Sequence, residues 1–428
     1  MMLSIRTSTW LLGGALAVVV AGVGCSSSND AEQTPAAGKA GAGAAGTGSG
    51  GRGGATSGGT GGTAGSGGPC VPIDDGASGE AGASGASGES GAGGASGEGT
   101  KTRAGDGNSC LTKAELPWLH VEGNALKDPN GNTVILRGVA MVDLGATEVW
   151  EGGVTNMIDR LTKVDDPQGN SPTWGTRVVR LMVGPKDGES QTPIQYEPDG
   201  DYYERVLRPA VDYARKKGLY AIIDWHYIDS TSLHVDTTTE FWADIAPRFA
   251  GDSHVLFELY NEPINGGLWP STRLDMQAWY DTVREGAPDN LVLVGTPNWC
   301  QMVGEAAQFP LDGTNVVYVA HMYPQHWQEP FLRQQISDAA ALVPVFMTEW
   351  GFRDTEDELL GGTITSYGDP IKAFMEEQRI SWTAWAASAT WGPPMFDTDY
   401  TLRVGEGEMG GFVKDWLYEK RNDDLPQP

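Results

Sequence analysis

Two short acidic motifs carry the most chemistry in this chain, Asn261-Glu262-Pro263 and Thr348-Glu349-Trp350-Gly351. Each glutamate closes an apolar, β-branched run, Val255-Leu256-Phe257-Glu258-Leu259 before the first and Val345-Phe346-Met347 before the second. Both are therefore expected at the end of a buried strand, where an idle charge is costly. A carboxylate and a carboxylic acid facing each other can cleave an acetal linkage: one attacks the carbon while the other protonates the leaving oxygen. That pairing requires carboxyls roughly 5 to 5.5 Å apart. Both protonation states must coexist at one pH, so different surroundings have to separate them. Arg180 is a strand cation in need of an acidic partner, and it is the candidate that keeps Glu349 ionised. His226 (in Asp224-Trp225-His226), Asn261, and His321 and Tyr323 (in His321-Met322-Tyr323) supply further polar groups at strand ends. Trp385 and Trp299 offer aromatic faces, while Glu258 reads as an internal hydrogen-bonding group and His234, His254 and His326 as structural or solvent-facing.

Eight apolar runs could position these groups. They are Val134-Ile135-Leu136, Val178–Val183, Tyr220-Ala221-Ile222-Ile223, Val255–Leu259, Leu291-Val292-Leu293-Val294, Val316-Val317-Tyr318-Val319, Val345-Phe346-Met347 and Trp382-Thr383-Ala384-Trp385. Helical patterns separate most of them, at Tyr202–Lys217 with a stop at Gly218, Glu240–Phe249, Arg273–Glu285, Phe331–Leu342 and Pro370–Gln378, with a final one at Phe412–Lys420. Strands apolar throughout and alternating with helices predict a parallel sheet covered on its outer face. Eight repeats fit an α/β fold of the closed (β/α)8 TIM barrel type. A dinucleotide-binding sheet would need a glycine-rich turn after the first strand, and Arg137-Gly138-Val139-Ala140 lacks it. Residues Val121 to Arg137, with Asp128-Pro129-Asn130-Gly131 as a turn, predict a hairpin plugging the barrel bottom. The polar candidates then fall at the C-terminal strand ends, where such barrels build their sites.

The ordered set Arg180, Asp224-Trp225-His226, Leu259-Tyr260-Asn261-Glu262-Pro263, His321-Met322-Tyr323, Met347-Thr348-Glu349-Trp350-Gly351 and Trp385 resembles glycoside hydrolase family 5, the cellulase-like retaining family, over residues 118–420. The resemblance implies Glu262 as acid/base and Glu349 as nucleophile. Asn261 would bind the sugar 2-hydroxyl and Tyr323 the nucleophile. Arg180, His226 and His321 would form the shell orienting both glutamates, with Trp385 and Trp299 as sugar-stacking platforms. It implies no metal and no cofactor, and it points to endo-β-1,4-glucanase activity on plant cell-wall β-glucan. β-Mannanase and xyloglucan-cleaving enzymes share the same glutamates, since substrate choice lies in loops. A catalytically silent surface carbohydrate-binding protein would need a broken site. Many members carry a second histidine where this chain has Tyr227, which bears on the substrate subfamily.

The remainder of the 428 residues divides sharply. Residues 1–25 read as an export signal, an apolar stretch from Trp10 to Val23 that is short for a membrane span. Cys25 after Val23-Gly24 resembles a bacterial lipoprotein acylation site, although Gly22 stands where leucine is usual, so lipid anchoring and plain secretion both remain open. Residues 26–109, rich in Gly, Ala, Ser and Thr, cannot bury a core and predict a disordered tether. The catalytic domain is expected over 110–428. Cys70, Cys110 and Cys300 remain as an odd set for an oxidising compartment, and Cys70 with Cys110 could close a loop. No cysteine or histidine group has metal-ligand spacing. A net charge of −27 argues against nucleic acid or an anionic membrane surface as partner and suits a neutral glycan. A monomer is expected.

Overall fold

The computed structural model describes residues 116–427 apart from 163–173, 187, 189–191 and 267. The export signal, the tether, Cys25, Cys70 and Cys110 lie outside the described residues.

Eight parallel strands close into a barrel: β1 (Arg137–Met141), β2 (Val178–Val183), β3 (Tyr220–Trp225), β4 (Val255–Glu258), β5 (Val292–Val294), β6 (Val316–Met322), β7 (Val345–Trp350) and β8 (Ser381–Ala387). Each pairs with its sequence neighbours, β8 with β1 closing the ring. Period-two alternation divides every strand between two environments. Val179, Leu181, Ala221, Ile223, Phe257, Val292 and Met347 pack outward in the large core shared with the helices. Val178, Tyr220, Ile222, Leu256, Leu293, Val317, Val319 and Phe346 form a separate inner cluster. Continuing the same parity toward the C-terminal ends gives Arg180, Asp224, Glu258, His321 and Thr348. The strands are apolar on both faces low in the barrel and polar on the inner face only near its mouth.

The first strand corrects the sequence expectation: Val134-Ile135-Leu136 is not barrel strand one, which begins at Arg137. Thr133–Val134 instead completes a three-stranded antiparallel sheet with His120–Glu122 and Ala125–Lys127. The Asp128 carboxylate pins its turn by accepting from the amides of Asn130 and Asn132, both at 2.9 Å. Leu119, Leu126, Val134 and Leu136 join the inner cluster, so this small sheet is the plug foreseen at the barrel bottom.

The helices follow the predicted order with shifted ends. Helix Val235–Arg248 begins five residues before the predicted Glu240, because the Thr237-Thr238-Thr239 run has poor intrinsic propensity but is held by tertiary contacts, Trp225 Nε1 donating to Thr238 Oγ1 at 3.1 Å. Helix Trp269–Gly286 starts early for a similar reason, with Pro270 in its first turn. Arg208–Lys217 ends at Gly218 as expected, with φ 76° in the left-handed region. Short helices at Leu144–Trp150, Val154–Thr162 and Val303–Gln308 escaped the sequence pattern. Among the described residues no helix is long and apolar enough to cross a membrane.

Candidate active site

The polar inner layer converges on Arg180, which is fully buried. Its Nε and Nη2 meet the two oxygens of Glu258 at 2.6 and 3.1 Å, Nη1 reaches Glu349 Oε1 at 2.7 Å, and Nη2 also lies 2.6 Å from Asn261 Oδ1 and 3.1 Å from Asp224 Oδ2. Burial works against the guanidinium charge, but Asp224, Glu258 and Glu349 outweigh it and raise its proton affinity well above the ordinary value. Burial pushes Asp224 up to about 7 against the pull of Arg180. It also raises Glu258 against the same opposing charge.

Both sequence-predicted glutamates reach this layer. Glu349 accepts from Arg180 and, through Oε2, from the Tyr323 hydroxyl at 2.8 Å. Burial, with the charges of Glu349 and Glu262 adding to it, holds that phenol well above its usual range. Glu262 sits on a different support. The backbone of its motif is anchored to the end of β3 and the residues just beyond, with Asn261 N donating to Trp225 O and Glu262 N to Tyr227 O. Its Oε1 lies 2.7 Å from His321 Nδ1. One oxygen of each glutamate and a ring nitrogen of His321 lie within 4.8 Å of one another. This trio has metal-ligating atoms, but they are already engaged: Glu349 by a guanidinium and a phenol, Glu262 by an imidazole.

A one-residue irregularity brings Glu349 and Thr348 to the same side. Ala320 pairs with Met347 but His321 pairs with Glu349, so Thr348 is a bulged residue in β7. Such a bulge lets adjacent residues escape the strict alternation. The Thr348 hydroxyl donates to Glu258 Oε1 at 2.8 Å and lies 2.9 Å from His321 Nε2. Burial drives His321 down to about 4, opposed by the charge of Glu349, so the ring is neutral near pH 7.

The remaining candidates are placed as follows. His226 Nδ1 shares a hydrogen bond with Asp224 Oδ2 at 2.6 Å and its Nε2 faces the Asn261 amide at 3.3 Å, so it orients Asn261. Burial, reinforced by Arg180, lowers its proton affinity. Trp385 stacks on His226 at 5.7 Å with an interplanar angle of 11°, and Trp391 lies beside it at 6.4 Å. Trp299 stands 42% exposed on a turn after β5, in which Asn298, Trp299 and Cys300 have φ of 58°, 54° and 58°. Three consecutive non-glycine residues in the left-handed region are held there by surrounding contacts. One contact is the buried, unbridged Cys300 thiol, which donates to Asn261 O at 3.0 Å. Tyr227 is buried, its ring stacked on His234 at 3.9 Å and on Tyr260 at 5.5 Å.

Sequence reasoning undervalued Glu258 and missed the parts played by Asp224 and Thr348. Strand parity could have found the first two, because both share the inward phase of Arg180 on neighbouring strands. It also missed Glu151, buried at the end of helix Leu144–Trp150. Its carboxylate accepts from Ser388 Oγ at 2.7 Å, Ala389 N at 3.1 Å, Thr390 Oγ1 at 2.7 Å and Tyr400 OH at 3.1 Å. That clamp fixes the loop after β8 beside Trp385 and Trp391.

Comparison with known proteins bears on the family and the fold. The family described as Cellulase (glycosyl hydrolase family 5) matches residues 130–390. Endoglucanase N of Pectobacterium atrosepticum is 30% identical over 303 residues, covering 69% of this chain and 62% of the relative. Endoglucanase E-5 of Thermobifida fusca is 28% identical over 277 residues, covering 62% of this chain and 55% of the relative. The chain thus spans less than two thirds of the length of these relatives. Among solved structures, a β-glucanase of Saccharophagus degradans matches with a TM-score of 0.61 at 25% identity, covering 72% of this chain and 95% of that one. The family match takes in more than half of the chain, with Arg180, Glu262 and Glu349 all inside it, and the protein belongs to glycosyl hydrolase family 5.

Proposed function

We propose that this chain hydrolyses internal β-1,4-glucosidic bonds of cell-wall glucan with retention of configuration, using Glu349 as nucleophile and Glu262 as acid/base. The observation that carries this reading is the approach of the two carboxyls within 4.8 Å on unlike supports. So short an approach leaves too little space for a sugar carbon and an attacking water together, which favours the retaining route over the inverting one. Glu349, gripped by Arg180 and Tyr323, has the partners of an ionised attacking group. In the first step a Glu349 oxygen bonds to the anomeric carbon as the bond to the leaving oxygen breaks, and that oxygen takes the proton of Glu262. In the second step Glu262 removes a proton from water, which attacks the same carbon and frees Glu349. Asn261, held by Arg180 and His226, presents its amide to the sugar 2-hydroxyl, while Trp385 and the half-exposed Trp299 offer apolar faces to pyranose rings.

Substrate choice rests on the endoglucanase names of the relatives and on the cellotetraose complex solved for the Saccharophagus β-glucanase. Cellulose derivative, mannan and xyloglucan assayed in parallel test it. Faster cleavage of mannan or xyloglucan would transfer the chain to those activities, and no cleavage of any β-glycan would leave a carbohydrate-binding protein. Early-time proton NMR should show the β-anomer, and an α-anomeric first product would refute retention.

The same reading extends to cellular placement: residues 1–25 direct export, the Gly/Ala/Ser-rich segment tethers a monomeric barrel, and a lipid on Cys25 anchors it. Fractionation of cells expressing the full chain and its Cys25→Ala variant tests this. Equal release of both into the medium would rule out the anchor.

A further inference from the structure

Four side chains form one hydrogen-bonded path between the two glutamates of the site: from Glu262 through His321, Thr348, Glu258 and Arg180 to Glu349. Resting on the assignment of Glu262 as acid/base, we propose that Thr348 is a positioning residue. It fixes the His321 ring with its proton on Nε2, so that Nδ1 accepts and the Glu262 carboxyl is bound as the hydrogen-bond donor.

The argument is an inventory of protons. A threonine hydroxyl has one proton to give. Thr348 Oγ1 lies 2.8 Å from Glu258 Oε1 and 2.9 Å from His321 Nε2. Burial raises the proton affinity of Glu258, but both its oxygens accept from the Arg180 guanidinium, and this bidentate grip is the geometry in which Glu258 serves Thr348 as acceptor. The Thr348 proton therefore points to Glu258, and its lone pair faces His321 Nε2. In a neutral imidazole one nitrogen donates and the other accepts, and the partner of one decides the state of the other. With Nε2 donating to Thr348, Nδ1 has only a lone pair to offer Glu262 Oε1 at 2.7 Å, and the contact is a hydrogen bond only when Glu262 carries the proton.

His321 is faced by Glu258 and Glu262 from β4 and its loop, Glu349 from β7 at 3.8 Å, Arg180 from β2, His226 from the loop after β3, and His326 beyond β6. Burial dominates these influences and keeps the ring neutral. A soft rotation of the terminal torsion turns the Glu262 O–H toward a leaving oxygen. Once that proton is delivered, a carboxylate faces the Nδ1 lone pair, which favours recovery of a proton from the water that completes turnover.

The test is the pH dependence of kcat/KM on cellotetraose for wild type, Thr348→Val and Thr348→Ser. Valine removes the acceptor at Nε2, frees the ring to place its proton on Nδ1, and so stabilises the Glu262 carboxylate. The basic limb should move to lower pH by about one unit, whereas serine should keep it in place. With an aryl cellobioside whose dinitrophenol leaves without a proton, the glycosylation step should lack that limb in wild type and in Thr348→Val alike. Nitrogen NMR of the wild-type His321 ring at neutral pH needs no variant and should show Nε2 protonated. An unmoved limb in the valine variant, equal shifts with valine and serine, or a proton on Nδ1 in wild type would each overturn the inference. Glu262→Gln separates this from the reading beneath it: full cellotetraose turnover in that variant would remove the acid/base assignment itself.

Discussion

Glu349 and Glu262 are the same residue type with unlike partners, a guanidinium and a phenol for one and an imidazole for the other. Their chemistry should separate in the same way. Glu349→Ala is expected to lose turnover on cellotetraose by at least about a thousandfold, and azide should restore cleavage with an α-glycosyl azide as product, because the anion attacks from the vacated face. Glu262→Ala should lose about a hundred- to ten-thousandfold on the same substrate. It should yield the β-glycosyl azide, since Glu349 still forms the covalent intermediate. Chromatography of the azide adducts decides between the two, and exchanged products would reverse the roles. Under the proposed function, Trp299 and Trp385 act one step away, on sugar rings. Their substitution by alanine should raise KM on oligosaccharides more than it lowers kcat on an aryl cellobioside.

At the level of strands and loops, the barrel concentrates its polar cost in one layer. Arg180 is shared by Asp224, Glu258 and Glu349, so Arg180→Met would leave three buried carboxyl groups around an apolar side chain without their cation. A loss of about 3 to 5 kcal/mol in urea unfolding at pH 7 is expected, from buried acids left unpaired or forced to take up a proton rather than from lost packing. The loop after β8 depends on a different acid. Glu151→Ala would leave Ser388, Ala389, Thr390 and Tyr400 without their shared acceptor. Faster amide exchange across 388–400 is expected, with a stability loss of roughly 1 to 3 kcal/mol. Unchanged exchange there would mean that the loop is held by its other contacts.

For the molecule as a whole, acid should be destabilising through its buried histidines. Burial lowers His254, at the foot of β4, to about 4 from an unfolded value near 6.5. The unfolded chain therefore binds protons below about pH 6.5 that the folded chain refuses until about pH 4. This stability is present above 6.5 and lost as pH falls through 4, amounting to up to about 3 kcal/mol for the one imidazole. Asp224, raised to about 7, has the opposite sign: its contribution is present below its unfolded value and lost as pH rises through 7. Comparing urea unfolding of wild type and His254→Asn at pH 6.5 and 4 isolates the histidine, and the variant should lose less stability on acidification.

Much of this was legible in the sequence. Strand runs and strand-end residues follow from local periodicity, so the barrel and the meeting of Arg180, Asn261, Glu262, His321, Tyr323 and Glu349 could be anticipated. Val134-Ile135-Leu136 misled because apolar plug residues and barrel strands share one composition. Glu151 was invisible because its four partners lie more than two hundred residues away in the chain.

Strand β7 uses one residue more than β6 to climb the same height, and the surplus is Thr348. A chain without it would run smoothly from Met347 into Glu349, still opposite His321, with Trp350 still turned toward the helices. The kink is therefore not needed to deliver the glutamate. What a single-residue deletion there would remove is a hydroxyl wedged between an acid and an imidazole, a change silent in the shape of the barrel and audible only in how its protons are arranged.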